Sequence, residues 1–325
     1  MTKYSNFIAI GQVFCYNRYN MTNKNLKSFT LIEMLLVVVI IGILSSILLF
    51  NTQDAFDEEE RMKALSWGES LKGRHQEFLV SDWSFEGATA PGLAATANDV
   101  KDSWGYNNGT ITGNIIVRDG DYCISGKCLE FDGTNLVPEY INYGQGEANS
   151  LKITGSLSLE MWIYPTDFTV RRSIVHKCYG GEMSFTQEPS TGLNFYYGTA
   201  GVNAQPYQGL GSSLTVIPNS WNHIVFVRNL DPSVMKLTWY VNGKKGGSTT
   251  ANYAAAVSST ANFWIGDGYL DPFNGRMDQI RIYKGALSIA DILQDYVAGL
   301  DSLLANDGIS KEEYDNKMMS LATNE

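Results

Sequence analysis

The chain is poor in the residues that build metal centres and covalent active sites. Its 325 residues include 4 cysteines and 3 histidines, and no second Cys or His pair has the spacing of zinc ligands. Nucleophilic, zinc and nucleotide chemistry lack support, because no Gly-x-Ser-x-Gly, His-Glu-x-x-His or Walker motif is present. Basic residues are also scarce. A total of 24 Lys and Arg against 34 Asp and Glu gives a net charge of −10, which argues against nucleic acid as a partner.

Charge is missing from one long stretch near the N-terminus. Residues 34–53 carry no charged side chain, and a run of about 20 such residues can cross a bilayer as a helix. Residues 1–28 contain Lys and Arg but no acid, whereas residues 54–60 contain five acids, so the positive-inside rule predicts a cytoplasmic N-terminus. A secretory signal peptide is the alternative, but its apolar core should be about 7–15 residues long and precede a small-x-small cleavage site.

Glu33 stands at the edge of this apolar run, where a carboxylate is costly unless it has a partner. A cut between Ser28 and Phe29 would free an α-amino group, and a neighbouring copy would then supply the missing cation. The segment 27–38, Lys-Ser-Phe-Thr-Leu-Ile-Glu-Met-Leu-Leu-Val-Val, closely resembles the processing motif of type IV pilins and pseudopilins. The resemblance implies that a prepilin peptidase cleaves before Phe29 and methylates its amine, and that Glu33 registers the chain among other pilin subunits.

Two departures from the family pattern indicate the kind of pilin. Ser28 stands where the family usually has Gly, and the apolar run lacks the Pro often found in major pilins, which favours a minor pilin or pseudopilin. The leader is short and basic if translation starts at Met21, so we expect Met21 to be the start. The sequence therefore divides into a leader (1–28), a transmembrane helix (29–53) and an exported continuation of that helix (54–78).

Beyond about Leu79 the sequence changes to short apolar runs separated by Gly, Asn, Asp and Pro, which is typical of an all-β sandwich. Ordered segments, among them 83–87, 221–228 and 273–283, resemble a LamG-like, concanavalin A-like jelly roll. The resemblance spans residues 79–298. It implies an antiparallel β-sandwich but no single function, because this fold hosts sugar binding, protein binding and hydrolysis. Strands are predicted at 114–118, 128–131, 157–163, 173–177, 193–197, 222–228, 236–241, 262–266 and 277–283.

Two cysteines flank a glycine-containing turn between predicted strands. Cys123 and Cys128 come within reach of a disulfide if those strands pair, and an exported domain sits where such a bond persists. Two reduced thiols are the alternative. Cys178 is predicted to be buried and free.

At the C-terminus, the pattern of residues 299–325 predicts a helical hairpin with a capping box at Ser310. This hairpin is either an oligomerisation element or a solvated tail.

Candidate binding residues lie in or beside Gly-rich loops. Four tyrosines are candidates for stacking on sugar rings, although core positions are the alternative for each: Tyr196, Tyr197, Tyr207 and Tyr269. Three oxygen-bearing residues around Gly268 form a candidate calcium site, with ordinary turn residues as the alternative: Asp267, Asp271 and Asn274. No catalytic carboxylate pair is apparent, because Glu160 stands alone in its strand and His223 has the setting of a structural histidine.

These features predict a mainly β protein with a long N-terminal transmembrane and stalk helix, a concanavalin A-like sandwich and a short C-terminal helical hairpin. We expect a non-enzymatic, minor pilin-like or pseudopilin-like subunit with a single span in the cytoplasmic membrane and an exported domain. The sandwich would be displayed on a type IV pilus or a secretion pseudopilus for adhesion, or for binding a glycan or surface protein. The alternatives are a membrane-tethered lectin that does not polymerise and a glycan hydrolase.

Overall fold

A computed structural model describes residues 77–87 and 90–322 of the chain. The predicted leader (1–28), the transmembrane helix (29–53) and nearly all of its exported continuation lie outside the described residues, as do Ser28, Phe29 and Glu33. None of the helices in the described ranges has the length and apolar character needed to cross a membrane.

The described residues form sixteen β-strands and two α-helices. The strands are β1 Leu79–Trp83, β2 Thr110–Thr112, β3 Ile116–Asp119, β4 Lys127–Asp132, β5 Tyr140–Asn142, β6 Leu157–Pro165, β7 Arg172–Cys178, β8 Met183–Glu188, β9 Gly192–Gly198, β10 Tyr207–Gly211, β11 Asn222–Asn229, β12 Lys236–Val241, β13 Lys244–Thr250, β14 Trp264–Ile265, β15 Asp271–Pro272 and β16 Asn274–Tyr283. The helices are α1 Ile289–Ala305 and α2 Lys311–Ala322.

The strands form two eight-stranded sheets that pack face to face. The first sheet has the order β13-β12-β11-β6-β16-β4-β3, with β1 paired to the far end of β16. The second sheet has the order β10-β9-β8-β7-β14-β5-β2, with β15 paired to β7. The strand pairs are antiparallel except β15 with β7. The prediction of an antiparallel β-sandwich is confirmed.

Side-chain alternation explains how β6 joins two hydrophobic layers. Leu157, Leu159, Met161 and Ile163 point into the core between the sheets, as alternation in a strand requires. Trp162 points to the opposite face, where it belongs to a second apolar cluster. Because both faces of β6 are covered, eight of its nine residues are buried.

The cover over the outer face of the first sheet is helix α1. The helix begins at Ile289, earlier than the sequence indicated, and Ser288 caps it by accepting a hydrogen bond from the Asp291 N–H at 3.3 Å. The Tyr296 ring stacks on Trp162 at 5.7 Å, measured between ring centroids.

The predicted cap of the following helix, α2, is present, since the Ser310 hydroxyl accepts from the Glu313 N–H at 3.1 Å. The solvated-tail interpretation is wrong, because apolar residues of this hairpin are buried against the sandwich: Leu300, Leu303 and Tyr314.

The predicted disulfide between Cys123 and Cys128 is present, with a Cα–Cα distance of 5.4 Å. Both cysteines are fully buried in the apolar cluster beneath the C-terminal helices. Asn306, at the end of α1, donates from Nδ2 to the Cys123 carbonyl at 3.0 Å, so the disulfide loop and the helical hairpin fix each other. Cys178 is free and buried, as predicted.

The close approach of α1 to the sheet depends on Gly299. A Cβ added at this position would overlap the indole ring of Trp162. We expect Gly299→Leu to lift α1 from the sheet and to lower the free energy of unfolding by about 3 kcal/mol, the upper range for overpacking a core. The neighbouring Ala298 is exposed, so Ala298→Leu is the matched control and should change stability little. Urea unfolding of the full-length chain measures both variants, and equal effects would contradict this account of helix docking.

Candidate functional site

Four tyrosines form a continuous cluster on the outer face of the second sheet. Three of them, Tyr196, Tyr207 and Tyr269, were predicted as sugar-stacking residues, and Tyr179 joins them. The ring centroids of Tyr196 and Tyr207 lie 5.8 Å apart, those of Tyr207 and Tyr179 lie 5.3 Å apart, and those of Tyr179 and Tyr269 lie 4.9 Å apart. All four are partly exposed. We call this set the tyrosine cluster.

Two glycines allow the rings to approach the sheet. Gly209 pairs with Tyr196 across β9 and β10, and a Cβ there would come within 2.8 Å of the Tyr196 ring. Gly268 brings its loop down onto β7, where a Cβ would lie 2.6 Å from His176 Cβ. The loop thereby places Tyr269 over His176, with 5.2 Å between the ring centroids.

His176 lies beneath the tyrosine cluster and is neutral. Asn203 Nδ2 donates to His176 Nε2 at 3.3 Å, so Nδ1 carries the proton and donates to the Ser184 hydroxyl at 3.1 Å. Burial lowers the pKa of His176 to about 4. Asn203 also accepts from the Tyr179 N–H at 3.0 Å, and its carbonyl accepts from the Tyr179 hydroxyl. This network holds the centre of the tyrosine cluster in place.

A charged pair borders the tyrosine cluster. Arg171 donates from Nε and Nη2 to the two carboxylate oxygens of Glu188 at 2.6 and 2.9 Å, and from Nη2 to the Tyr196 hydroxyl at 3.2 Å. Burial acts to raise the pKa of Glu188, but the bonds from Arg171 and Thr186 outweigh it and hold that pKa below its usual value. The carboxylate is therefore ionised, and the site presents a donor and an acceptor beside aromatic faces.

Tyr197 does not belong to the site, which corrects the sequence prediction. Its ring is fully buried in the core, where its hydroxyl donates to the Tyr253 carbonyl at 3.2 Å. Neighbours in a strand point to opposite faces, so Tyr196 and Tyr197 could never both face a ligand. Sequence reasoning missed Tyr179 and Arg171, which flank β7. The pairing of Arg172 with Gln187 across β7 and β8 puts Arg171 opposite Glu188.

The three residues predicted to bind calcium each have a separate partner. Asp267 accepts from the Gly268 N–H at 2.6 Å, and Asp271 accepts from Asn135 Nδ2 at 3.0 Å. Asn274 Nδ2 donates to Asp167 at 3.0 Å. Within residues 77–87 and 90–322, no group of three or more His, Cys, Asp or Glu is placed to hold a metal ion. The calcium site stays a prediction.

A second group of ionisable side chains lies between the first sheet and α1. Glu160 and His223 are both 1% exposed, and His223 Nε2 donates to a Glu160 oxygen at 2.8 Å. The Tyr283 hydroxyl donates to the other Glu160 oxygen at 3.1 Å, and Arg281 Nη1 lies 3.8 Å from it. These contacts suit a structural histidine, as the sequence suggested.

Asp295 of α1 completes this group and gives Glu160 a carboxylate neighbour. Burial, followed by the charge of Glu160, raises the pKa of Asp295 to about 8, although Arg281 acts in the opposite direction. Burial also acts to raise the pKa of Glu160, but the bond from His223 and the charge of Arg281 outweigh it and lower that pKa. Of these two neighbouring carboxyl groups, Asp295 therefore holds the shared proton to the higher pH.

The two predicted resemblances are confirmed by family models. Residues 23–49 match the prokaryotic N-terminal methylation motif, a range that includes Ser28, Phe29 and Glu33. Residues 140–293 match the concanavalin A-like lectin/glucanases superfamily. The chain thus joins a pilin-type N-terminal motif to a lectin-like sandwich.

Two curated proteins with a related sequence are a fimbrial protein and a type IV pilin. The chain is 34% identical over 115 residues to the fimbrial protein EcpC of Eikenella corrodens, covering 33% of this chain and 74% of the relative. It is 29% identical over 108 residues to the type IV major pilin protein PilE1 of Neisseria gonorrhoeae, covering 32% of this chain and 66% of that pilin. The chain therefore belongs to the family of the fimbrial protein EcpC.

The sandwich also resembles a solved carbohydrate-bound structure. Domain 4 of AbnA, an extracellular GH43 arabinanase from Geobacillus stearothermophilus solved in complex with arabinotriose, superposes with a TM-score of 0.51 at 22% identity. The match covers 67% of this chain and 97% of that domain. At this identity the likeness shows a shared fold.

The shared proton predicts how stability depends on pH. The pKa of Asp295 is about 8 in the fold, against a usual value of about 3.9, so the stabilisation it provides is complete below pH 4 and is lost as the pH rises to 8. Asp295→Asn replaces the proton with an amide donor to Glu160. We expect this variant to show a flatter loss of stability between pH 4 and 8 and to exceed the wild type above pH 8, measured by urea unfolding. A parallel pH dependence in the two proteins would contradict the shared proton.

Proposed function

We propose that the chain is a minor pilin-like or pseudopilin-like subunit that displays a carbohydrate-binding sandwich outside the cytoplasmic membrane. The observation that carries the binding role is the tyrosine cluster with the Arg171 and Glu188 pair at its border. Prepilin peptidase would cleave between Ser28 and Phe29, and the apolar segment 34–53 would anchor the chain before assembly. Glu33 would then pair with the α-amino group of a neighbouring subunit.

The chemistry of the tyrosine cluster suits a sugar ring. The C–H face of a sugar is apolar and packs on an aromatic face, while its hydroxyl groups need donors and acceptors at the edge. The rings of the cluster supply the aromatic faces, and Arg171 and Glu188 supply the hydrogen-bond donor and acceptor. The rings are also held by the sheet and by Asn203, so little side-chain entropy is lost on binding.

The relatives support both halves of the proposal. EcpC is named as a fimbrial protein and PilE1 as a type IV major pilin, which agrees with assembly through the N-terminal segment. The arabinanase domain carries arabinotriose on the same fold, which agrees with a glycan ligand. A surface protein remains the other class of ligand for the same exposed face.

We further propose that the domain binds glycans without cleaving them. Hydrolysis needs two carboxyl groups on either side of the sugar bond, one of them protonated. Glu188 at the tyrosine cluster is ionised and bonded through both oxygens to Arg171. A turnover assay on polysaccharides tests this directly, since release of reducing sugar would establish the hydrolase alternative.

Replacing Glu33 separates a polymerising subunit from a tethered lectin. Glu33→Leu leaves the α-amino group of a neighbouring Phe29 without its acid, and an unpaired buried charge costs about 3 kcal/mol, which lowers incorporation roughly a hundredfold. We expect the variant to stay in the membrane and to be absent from sheared filaments. Glu59→Leu, in the acidic run beyond the apolar segment, is the matched control. Normal incorporation of the Glu33 variant would favour the tethered lectin.

The tyrosine cluster predicts which substitution weakens glycan binding. Tyr269→Ala removes the ring that covers His176, and we expect at least a tenfold loss of affinity, since one aromatic contact is worth about 1.5 kcal/mol. Tyr106 is 82% exposed and does not belong to the cluster, so Tyr106→Ala is the control. A glycan array probed with the full-length chain in detergent, with and without calcium, measures both. Equal binding by the two variants would show that Tyr269 does not contribute to glycan binding and that the binding site lies elsewhere.

A further inference from the structure

The Arg171 and Glu188 pair carries information about the kind of sugar that fits. Both carboxylate oxygens of Glu188 are engaged, one by Arg171 Nε at 2.6 Å and the other by Arg171 Nη2 at 2.9 Å. The Thr186 hydroxyl also donates to Glu188, at 2.5 Å. The side chains of Arg171 and Glu188 remain 41% and 18% exposed, so the edge of this pair is reachable from solvent.

The pair leaves the tyrosine cluster without net positive charge. Arg171 is the cation that bonds to the tyrosine cluster, through the Tyr196 hydroxyl at 3.2 Å, and Glu188 cancels its charge. His176 beneath the rings is neutral, since Asn203 donates to its second ring nitrogen. A carboxylated sugar would therefore meet no uncompensated cation.

A sugar carboxylate that reaches only the exposed edge of Arg171 would lie beside the charge of Glu188, and one that forms a bidentate pair with Arg171 would have to displace Glu188. Two parallel charge-assisted hydrogen bonds are among the strongest side-chain contacts, and breaking them would leave Glu188 facing a second carboxylate. A neutral sugar needs no such exchange. One hydroxyl can accept from the exposed edge of Arg171 while its neighbour donates to Glu188, as the ring packs on a tyrosine.

We propose that this site selects neutral sugars with adjacent hydroxyl groups and rejects carboxylated ones, and that Glu188 is the residue that sets this selectivity. The inference rests on the proposed binding function and names its ligand class. Glu188→Gln keeps the shape of the side chain but removes its charge. The charge of Arg171 is then unmasked, and the variant should accept a sugar carboxylate.

The test compares matched probes that differ in a carboxylate: α-1,4-linked galacto-oligosaccharides with oligogalacturonates of equal length, and cello-oligosaccharides with analogues in which glucuronate replaces a glucose. The full-length chain in detergent is titrated with each pair at low and high salt. We expect the wild type to favour the neutral member by roughly tenfold, and Glu188→Gln to erase or invert that ratio in a salt-sensitive way.

The chain contains a matched control for the substitution. Arg118 and Glu130 form a fork of the same geometry on β3 and β4 of the first sheet, with N–O distances of 3.0 and 2.7 Å. Glu130→Gln should leave the ratio of neutral to carboxylated binding unchanged. A binding wild type that prefers carboxylated probes, or a Glu188→Gln ratio equal to that of Glu130→Gln, would overturn the selectivity proposal alone. Absence of binding to every probe would instead overturn the carbohydrate-binding function.

Discussion

The architecture depends on covering the outer face of the first sheet. Trp162 and Val225 project from that face, and a sheet with large apolar groups on both sides is stable in water only when each side is buried. Helix α1 supplies the cover, with Tyr296 on Trp162 and Ile292 against Val225. The C-terminal hairpin is thus part of the sandwich. The second sheet keeps an outer face on which the tyrosine cluster is exposed.

The exposed face suits the proposed binding role because the fold holds its side chains in place. Antiparallel register sets Tyr196 opposite Gly209, so the ring occupies space that a larger residue at position 209 would fill. Asn203 ties the Tyr179 loop to His176, and Glu188 orients Arg171. Such a surface loses little conformational freedom on binding, which suits recognition of a small polar ligand.

The sequence predicted the fold well because strand alternation, turn residues and ordered motifs are local signals. The nine expected strands all overlap observed ones, but seven observed strands were missed: β1, β2, β5, β8, β10, β13 and β15. In β8 and β13, Gly and polar residues weaken the apolar pattern. The site was predicted in part. Three of the four tyrosines were identified from the sequence because they lie in or beside Gly-rich loops. The alternation of side chains in β9 would have excluded Tyr197 from the site. Arg171 and Asp295 were beyond prediction, because their partners depend on strand register and helix docking.

The two ingredients of glycoside hydrolysis occur in this domain, but in different places. The carboxyl group whose pKa is raised, Asp295, lies with Glu160 between the first sheet and α1, where Glu160 is 1% exposed. The exposed carboxylate beside the aromatic surface, Glu188, belongs to the other sheet and is kept ionised by Arg171. The carboxyl group with the raised pKa therefore belongs to the contact between helix and sheet, and the ionised carboxylate borders the proposed ligand site. Catalysis would require both at one sugar bond, so their separation favours binding over hydrolysis.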